Sequence, residues 1–462
     1  MNLLQILMDI NWQAVGLQAG QLILSLSILV ILHELGHFIP AKLFRCRVEK
    51  FYLFFDPWFS IFKKKVGETE YGVGWLPLGG YVKIAGMVDE SMDKEQLKKP
   101  AEPWEFRSKP AWQRLIIMIG GVTVNVLLAF VIYAMVLFTW GETKLPMSEM
   151  KDGVWCVDSL ANELGLQNAD KILAVNGKPV TYFEDLNAEV LLGETVTVER
   201  KGQVQEVALP VNLIEKLVET RRRSPLFMPR IPALVGEISD TGNAKLSGLQ
   251  VNDQIVGLDG TPVRYFDEIR PMLAGREGDT ARLGVLRDGK TLELSTILGK
   301  NGAIGFFPMM PSMDDLEAMK MYVFEKKQYG FFESFPAGVK KSVEKLKSYV
   351  AQFKKILNPS TGAYKGVGGF KSMGSIFPKH EWDWEVFWNI TAFFSIVLAF
   401  MNLLPIPALD GGHVIFTLYE MITRRKPNEK FLEYAQIVGM IFLFGLLIYA
   451  NGNDIFGWGS GR

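Results

Sequence analysis

The chain has 462 residues with 50 basic and 50 acidic side chains, and its net charge of +0 gives no general attraction to nucleic acid. Hydrophobic residues make up 48%, which is high for a purely soluble protein and low for one lying wholly in a membrane, so several units of mixed character are expected. The two cysteines, Cys46 and Cys156, indicate no disulfide framework.

Four apolar segments are long enough to cross a bilayer, which takes ~20 helical residues. They cover residues 17–44, 115–140, 386–404 and 431–450. Because the first sixteen residues contain no Lys or Arg, we do not expect a cleaved signal peptide. The sequence therefore predicts a membrane protein with four helical spans.

The basic residues of the connecting loops predict the orientation of these spans. Twelve Lys and Arg side chains lie between residues 45 and 109, among them Lys94, Lys98 and Lys99, and four more lie between 424 and 430. Short loops rich in Lys and Arg stay in the cytoplasm, so both loops are predicted to be cytoplasmic. Both termini and the long segment 141–385 are then predicted to face outward.

The first apolar segment contains the pattern His-Glu-x-x-His at residues 33–37. Residues four apart share a helix face, so His33 and His37 can bind one metal ion. Glu34 is a candidate general base for a metal-bound water. The alternative is a set of polar residues satisfied within a helix bundle, but titratable groups at membrane depth are costly and usually functional.

The loop after the first span contains a glycine-rich apolar stretch, residues 71–83. We interpret it as a β-hairpin or looped sheet that dips toward the histidines, where an exposed strand edge could bind an extended peptide. An ordinary cytosolic hairpin is the alternative. In the second span, Gly120 and Gly121 favour close helix packing, and Asn125 needs a polar partner.

The outward segment contains an internal repeat. Residues 165–172 are echoed 83 positions later by residues 248–255, and Asn-Gly at 176–177 matches Asp-Gly at 259–260. Asn-Gly and Asp-Gly are hairpin turn signals. Two copies of a short-strand unit predict tandem modules rather than a solenoid.

A basic amphipathic helix is predicted after the repeat, with apolar residues three or four apart between Phe335 and Leu357 and lysines on its other faces. It is expected to lie on the outer membrane surface and couple the modules to the spans. The alternative is a helix packed on the second module.

A third metal ligand is predicted where the third span ends. Two histidines and a water leave zinc one ligand short, and Asp410 follows two prolines, Pro405 and Pro407, that stop the span in the inner half of the membrane. The alternative is an Asp that caps the next helix. His413 is a rival ligand or a residue that orients one.

The three motifs, residues 33–38, 77–82 and 402–412, together resemble the site-2 protease family of intramembrane zinc metalloproteases, and within it the bacterial regulator-of-sigma-E protease group. The resemblance implies that zinc is bound by His33, His37 and Asp410, with Glu34 as catalytic acid/base. It also implies a set of substrate-binding residues: Asn402, Gly79, Gly80, Tyr81, Pro405 and Pro407. One departure is visible, because the family usually has Ala-Gly-Pro where residues 120–122 read Gly-Gly-Val.

The resemblance implies that the two modules are PDZ-like α+β domains outside the bacterial cytoplasmic membrane. The expected substrate is a single-span membrane protein, such as a pre-cleaved anti-sigma factor or a signal-peptide remnant, with the tandem excluding bulky substrates during a stress response. The bilayer is the other partner, and no nucleic acid is expected. The predicted parts are 1–44 (first span), 45–112 (cytoplasmic loop with the hairpin), 113–140 (second span), 145–222 and 223–310 (PDZ-like domains), 311–385 (amphipathic helix and membrane-associated loop) and 386–462 (third and fourth spans).

Two functions of other classes stay open from the residues alone. A non-catalytic membrane scaffold or sensor would have a structural metal closed by four protein ligands. A metal transporter would need further acidic or histidine residues along the spans, and few are present.

Overall fold

The computed structural model describes residues 11–87, 100–219, 224–239 and 243–458. Three of the predicted cytoplasmic basic residues lie outside the described residues: Lys94, Lys98 and Lys99. The predicted domain boundary at 222–223 lies outside them as well. The chain divides into two compact units. One comprises Met1–Glu142, Gln328–Pro359 and Ala363–Arg462, and the other comprises Thr143–Lys327 and Ser360–Gly362.

The first unit begins with two long helices separated by a sheet. Helix α1 covers Trp12–Leu43, strands β1 and β2 cover Val48–Val66 and Thr69–Ile84, and helix α2 covers Ala111–Thr139. The first part of β1 pairs with both ends of β2, with Leu53 opposite Gly80 on one side and Val73 on the other. The two strands therefore bend and pair along both edges of the first part of β1 in a single sheet, which agrees with the predicted looped sheet but also takes in residues 48–66.

The second unit contains two four-stranded antiparallel sheets of the same strand order. Its strands are β3 Glu142–Lys144, β4 Val154–Cys156, β5 Lys171–Val175, β6 Lys178–Pro179, β7 Thr195–Arg200, β8 Gln203–Ala208, β9 Phe227–Pro229, β10 Val235–Ile238, β11 Gln254–Leu258, β12 Thr261–Pro262, β13 Thr280–Arg287, β14 Lys290–Ile297, β15 Phe306–Pro308 and β16 Glu325–Lys327. Its helices are α3 Ser159–Glu163, α4 Phe183–Leu192, α5 Leu213–Glu219, α6 Ile269–Leu273 and α7 Met313–Ala318.

The sheets β6-β5-β7-β8 and β12-β11-β13-β14 correspond to the two sequence repeats. In each copy an arginine at the end of the third strand binds the aspartate before the first: Arg200 to Asp170 at 2.6 Å and Arg287 to Asp253 at 2.7 Å. Tandem modules are thus present, while their PDZ-like identity stays a prediction. Between the modules, buried Arg230 binds Asp267 at 3.0 Å.

The last part of the chain returns to the first unit. It contains α8 Phe331–Leu357, α9 Phe370–Gly374, α10 Trp384–Leu403, α11 Asp410–Thr423 and α12 Glu429–Phe456. Within the described ranges, four helices are long and apolar enough to cross a membrane: α1, α2, α10 and, from Lys430, α12. The prediction of four spans is confirmed at this level, with ends that differ by a few residues from those read off the sequence.

The predicted amphipathic helix is α8, and it belongs to the same unit as the spans. Its buried Gly338 lies so close to α2 that an added Cβ would be 2.6 Å from the Ala134 nitrogen. Tyr349 packs edge-on against Phe400 of α10, with ring centroids 5.5 Å apart. The helix therefore packs on two span helices, and its position on the outer membrane surface stays a prediction.

Candidate metal centre

Three side chains from two distant parts of the chain meet at one point. His33 and His37 lie one turn apart on α1, and both are buried. Their Nε2 atoms are 3.2 Å apart, and each is 3.3 Å from Oδ2 of Asp410, the first residue of α11. The three predicted ligands therefore form a nearly equilateral triangle.

The triangle has the dimensions of one face of a tetrahedral zinc site. Zn–N bonds of about 2.0–2.1 Å at tetrahedral angles place neighbouring ligand atoms about 3.3–3.4 Å apart. Asp410 Oδ2 is buried and accepts no hydrogen bond from the described residues, although the two imidazoles face it. Two nitrogens and one carboxylate oxygen are also a donor set that catalytic zinc uses with an open fourth position. The residues therefore fit zinc.

The capping alternative for Asp410 is wrong. Leu409 is the N-cap residue of α11, and no side chain makes a capping hydrogen bond there. The predicted rival His413 is not part of the cluster: among the residues that the structure describes, the metal-ligand group contains His33, His37 and Asp410. A closed site with four protein ligands, which the scaffold alternative needs, is not formed by these described residues.

Glycines on α2 leave room for the two histidine rings. An added Cβ on Gly120 would lie 1.9 Å from the Gly36 carbonyl oxygen, so the backbones of α1 and α2 touch here. An added Cβ on Gly121 would lie 2.3 Å from His37 Nε2 and 2.6 Å from His33 Cε1. The packing role predicted for these glycines is present, but Gly121 also borders the metal centre, which sequence reasoning missed.

Each histidine also has a partner on its other ring nitrogen. His37 Nδ1 is 2.8 Å from the Ile117 carbonyl oxygen, and His33 Nδ1 is 3.1 Å from the Asn125 amide nitrogen. Asn402 reaches the metal-facing atom instead, with its Nδ2 3.2 Å from His33 Nε2. Helix α2 thus supplies the partner of Nδ1 in both rings, and Asn402 lies beside the metal-facing Nε2 of His33.

The sheet meets the centre at Gly80. An added Cβ there would lie 2.7 Å from Val30 Cγ1 and 3.4 Å from Glu34 Cγ, so only a glycine lets β2 come this close to α1. The Glu34 carboxylate interacts with the Val82 backbone amide. The catalytic candidate is therefore held against the strand that was predicted to bind substrate.

Tyr81, another predicted substrate contact, has a structural role within the unit. Tyr81 stacks on Tyr52 and donates its hydroxyl to Asp56 at 2.8 Å, so the hydroxyl is engaged inside the sheet. Burial raises the pKa of Tyr81, which keeps this hydroxyl a donor.

The two prolines lie in the turn that leads to Asp410. An added Cβ on Gly439 of α12 would overlap the Pro407 carbonyl, and the Gln436 side chain accepts from the Ala408 N–H at 3.1 Å. These contacts fix the turn, and through it the position of Asp410.

Comparison with known proteins connects this geometry to a family. The model of peptidase family M50 matches residues 21–446. A Vibrio cholerae protein named "putative zinc metalloprotease" is 30% identical over 467 residues, covering 96% of this chain and 99% of that protein. The regulator of sigma-E protease RseP of Escherichia coli is 27% identical, covering 94% of this chain and 97% of that protein. The regulator of sigma E protease of Haemophilus influenzae is 25% identical, with coverage of 94% and 98%.

Proposed function

Because the chain belongs to peptidase family M50, the site-2 protease family, and is a zinc metalloprotease, we propose that it hydrolyses a peptide bond of a single-span membrane protein within the bilayer. The observation that carries this proposal is the triangle of His33, His37 and Asp410 beside Glu34. It lies on helices α1 and α11, in the unit that contains the four membrane-spanning candidates.

The side chains have separate roles in this reaction. His33, His37 and Asp410 hold zinc, which when bound lowers the pKa of a water toward ~7 and polarises the scissile carbonyl. Glu34 takes the proton of the attacking water and delivers it to the leaving amine. Asn402, whose amide lies 3.2 Å from His33 Nε2, donates a hydrogen bond to the substrate beside the open fourth metal position.

The substrate is presented as an extended strand. A helical span has its backbone groups satisfied and must unwind before it can be cut, and an unpaired segment in lipid needs replacement hydrogen bonds. The edge of β2 at Gly79 and Gly80 supplies them by strand addition. At Gly80 this edge comes so close to Glu34 that an added Cβ would lie 3.4 Å from its Cγ, which supports its assignment as the substrate-binding element.

The location and the partners follow from the family and the loop charges. We place the protein in a bacterial cytoplasmic membrane, with the metal centre toward the cytoplasm and the tandem modules and both termini outside. The relative in Escherichia coli is named for the regulation of sigma-E. We therefore propose an anti-sigma-like protein, already trimmed on its outer side, or a signal-peptide remnant as the substrate.

The second unit acts as a filter in this proposal. Its two PDZ-like modules exclude substrates that retain a bulky outer domain. Deletion of residues 150–310 is expected to let untrimmed substrate be cut. If the shortened protein retains zinc but still rejects untrimmed substrate, the filter does not exist in this protein.

The test of the reaction is Glu34→Gln. This change keeps the side-chain volume and leaves all three ligands in place, but removes the base. We expect stoichiometric zinc in the purified variant and a loss of cleavage of at least about 100-fold, the range of general acid–base contributions. The control is Glu102→Gln, because Glu102 is exposed in the loop between β2 and α2. Cleavage by Glu34→Gln at the wild-type rate would rule out the proposed mechanism.

A further inference from the structure

We propose that Asn125 is a positioning residue of the metal centre: its amide oxygen accepts a hydrogen bond from His33 Nδ1 and thereby directs Nε2 of that ring to zinc. The inference rests on the proposed function, since it concerns the same centre. It assigns a role to a residue of the second span that contributes no ligand itself.

The position of Asn125 points to such a role. The residue lies near the middle of α2 and is fully buried. Its Nδ2 atom is 3.1 Å from His33 Nδ1, while Oδ1 is buried without a hydrogen-bond partner among the described residues. A buried polar atom without a partner is destabilising, because it loses its hydrogen bonds to water. Packing alone would favour an apolar side chain here, so an amide at this position indicates a hydrogen-bonding role.

The chemistry of a zinc-bound imidazole explains this hydrogen-bonding role. A ring that binds metal through Nε2 carries its hydrogen on Nδ1 and donates it to an acceptor. His37 shows the arrangement directly, because its Nδ1 lies 2.8 Å from the carbonyl oxygen of Ile117, which can only accept. His33 needs an equivalent acceptor on the same helix. Rotation of the Asn125 amide about its last side-chain bond places Oδ1 there without moving the backbone.

The third span holds Asn125 in place for this contact. Ser395 of α10 is fully buried and donates its hydroxyl to the Asn125 carbonyl oxygen at 2.7 Å. Helix α2 is thus bonded to α10 at this residue. Asn402 differs, because its amide lies at Nε2, the atom that would bind metal.

The test measures zinc affinity in the purified full-length chain by competition with a chelator. Asn125→Leu has a similar volume but no acceptor, and it is expected to raise the zinc dissociation constant about 10- to 100-fold. Asn125→Asp restores an acceptor and is expected to stay within about threefold of wild type, as in carboxylate–histidine–zinc triads. The matched control is Asn389→Leu on α10, where the amide bonds to the Glu385 carbonyl oxygen away from the centre. Thermal unfolding of each variant checks that it is folded.

The outcomes separate this inference from the proposed function. Weak zinc binding in Asn125→Leu with near-normal binding in Asn125→Asp supports it, because a packing role does not distinguish an acceptor from a methyl group. Wild-type affinity in Asn125→Leu overturns it. Equal losses in both Asn125 variants overturn it as well, since the amide would then serve packing. If the wild-type chain itself binds no stoichiometric zinc, the proposed function fails first.

Discussion

The close approach of Gly121 to both histidines makes Gly121→Ala a sharp perturbation of the metal centre. A Cβ atom there would lie 2.3 Å from His37 Nε2 and 2.6 Å from His33 Cε1, where ordinary contacts begin near 3.4 Å. The rings would have to move by about 1 Å, while metal–ligand distances tolerate about 0.2 Å. Moving helix α2 away would separate the backbones that touch at Gly36 and Gly120 and would lose that packing.

The magnitude follows from the cost of inserting a methylene into a packed site, about 1–3 kcal/mol. If this whole cost opposes zinc binding, the zinc dissociation constant rises roughly 5- to 150-fold, since 1.4 kcal/mol is a factor of ten. The assay is chelator competition, followed by cleavage of a single-span substrate at saturating zinc. We expect weaker zinc binding and slower cleavage together.

The controls use glycines in spans with open surroundings. Gly20 on α1 and Gly445 on α12 have nothing within 4 Å of an added Cβ. Ala at either position is expected to leave zinc affinity unchanged and to stabilise the helix by roughly 0.5–1 kcal/mol. Wild-type zinc affinity in Gly121→Ala would refute the reasoning, because the two helices would then have room that the structure does not show.

Two further predictions concern the second unit. Asp267→Leu removes the buried carboxylate that pairs with Arg230 and leaves the guanidinium with the partly exposed Glu268, so it is expected to destabilise the unit by about 1.5–3 kcal/mol in urea unfolding followed by tryptophan fluorescence. Asp279→Leu, at an exposed pair, is expected to change the stability by less than about 1 kcal/mol. Burial opposes ionisation of Asp253, but hydrogen bonds from Arg287 and a backbone amide outweigh it and lower its pKa. Because the folded pKa is depressed, this stabilisation is complete above about pH 4 and is lost as the pH falls through the folded pKa. The stability difference between wild type and Asp253→Asn should therefore disappear in acid, and a difference that is constant with pH would contradict the assignment.

Local patterns made several features predictable. The spacing of His33 and His37 places them on one face because helix periodicity depends only on neighbouring residues. The four spans are properties of continuous apolar length, and the two modules are visible as a repeat in the sequence. Asp410 was singled out by the unfinished ligand set and by the prolines before it, although it is far from the histidines in the chain.

The contacts between helices and strands could not be predicted from such local patterns. Which residue of α2 faces His33 depends on where two helices cross, and the crossing is decided by the backbone contact at Gly36 and Gly120. The same holds for Gly80 against Glu34. A glycine carries no side-chain pattern, so periodicity cannot distinguish one that borders a metal centre from one that faces lipid.

The spans, the repeated modules and the three candidate ligands could be identified from residue order, because each is encoded in local length, composition or spacing. The folded chain was needed to show that the ligand atoms form a triangle of zinc dimensions, that α2 provides the partner of each ring, and that β2 approaches the acid/base candidate. These relations arise from the packing of segments far apart in the chain, where small side chains and buried hydrogen bonds select one arrangement.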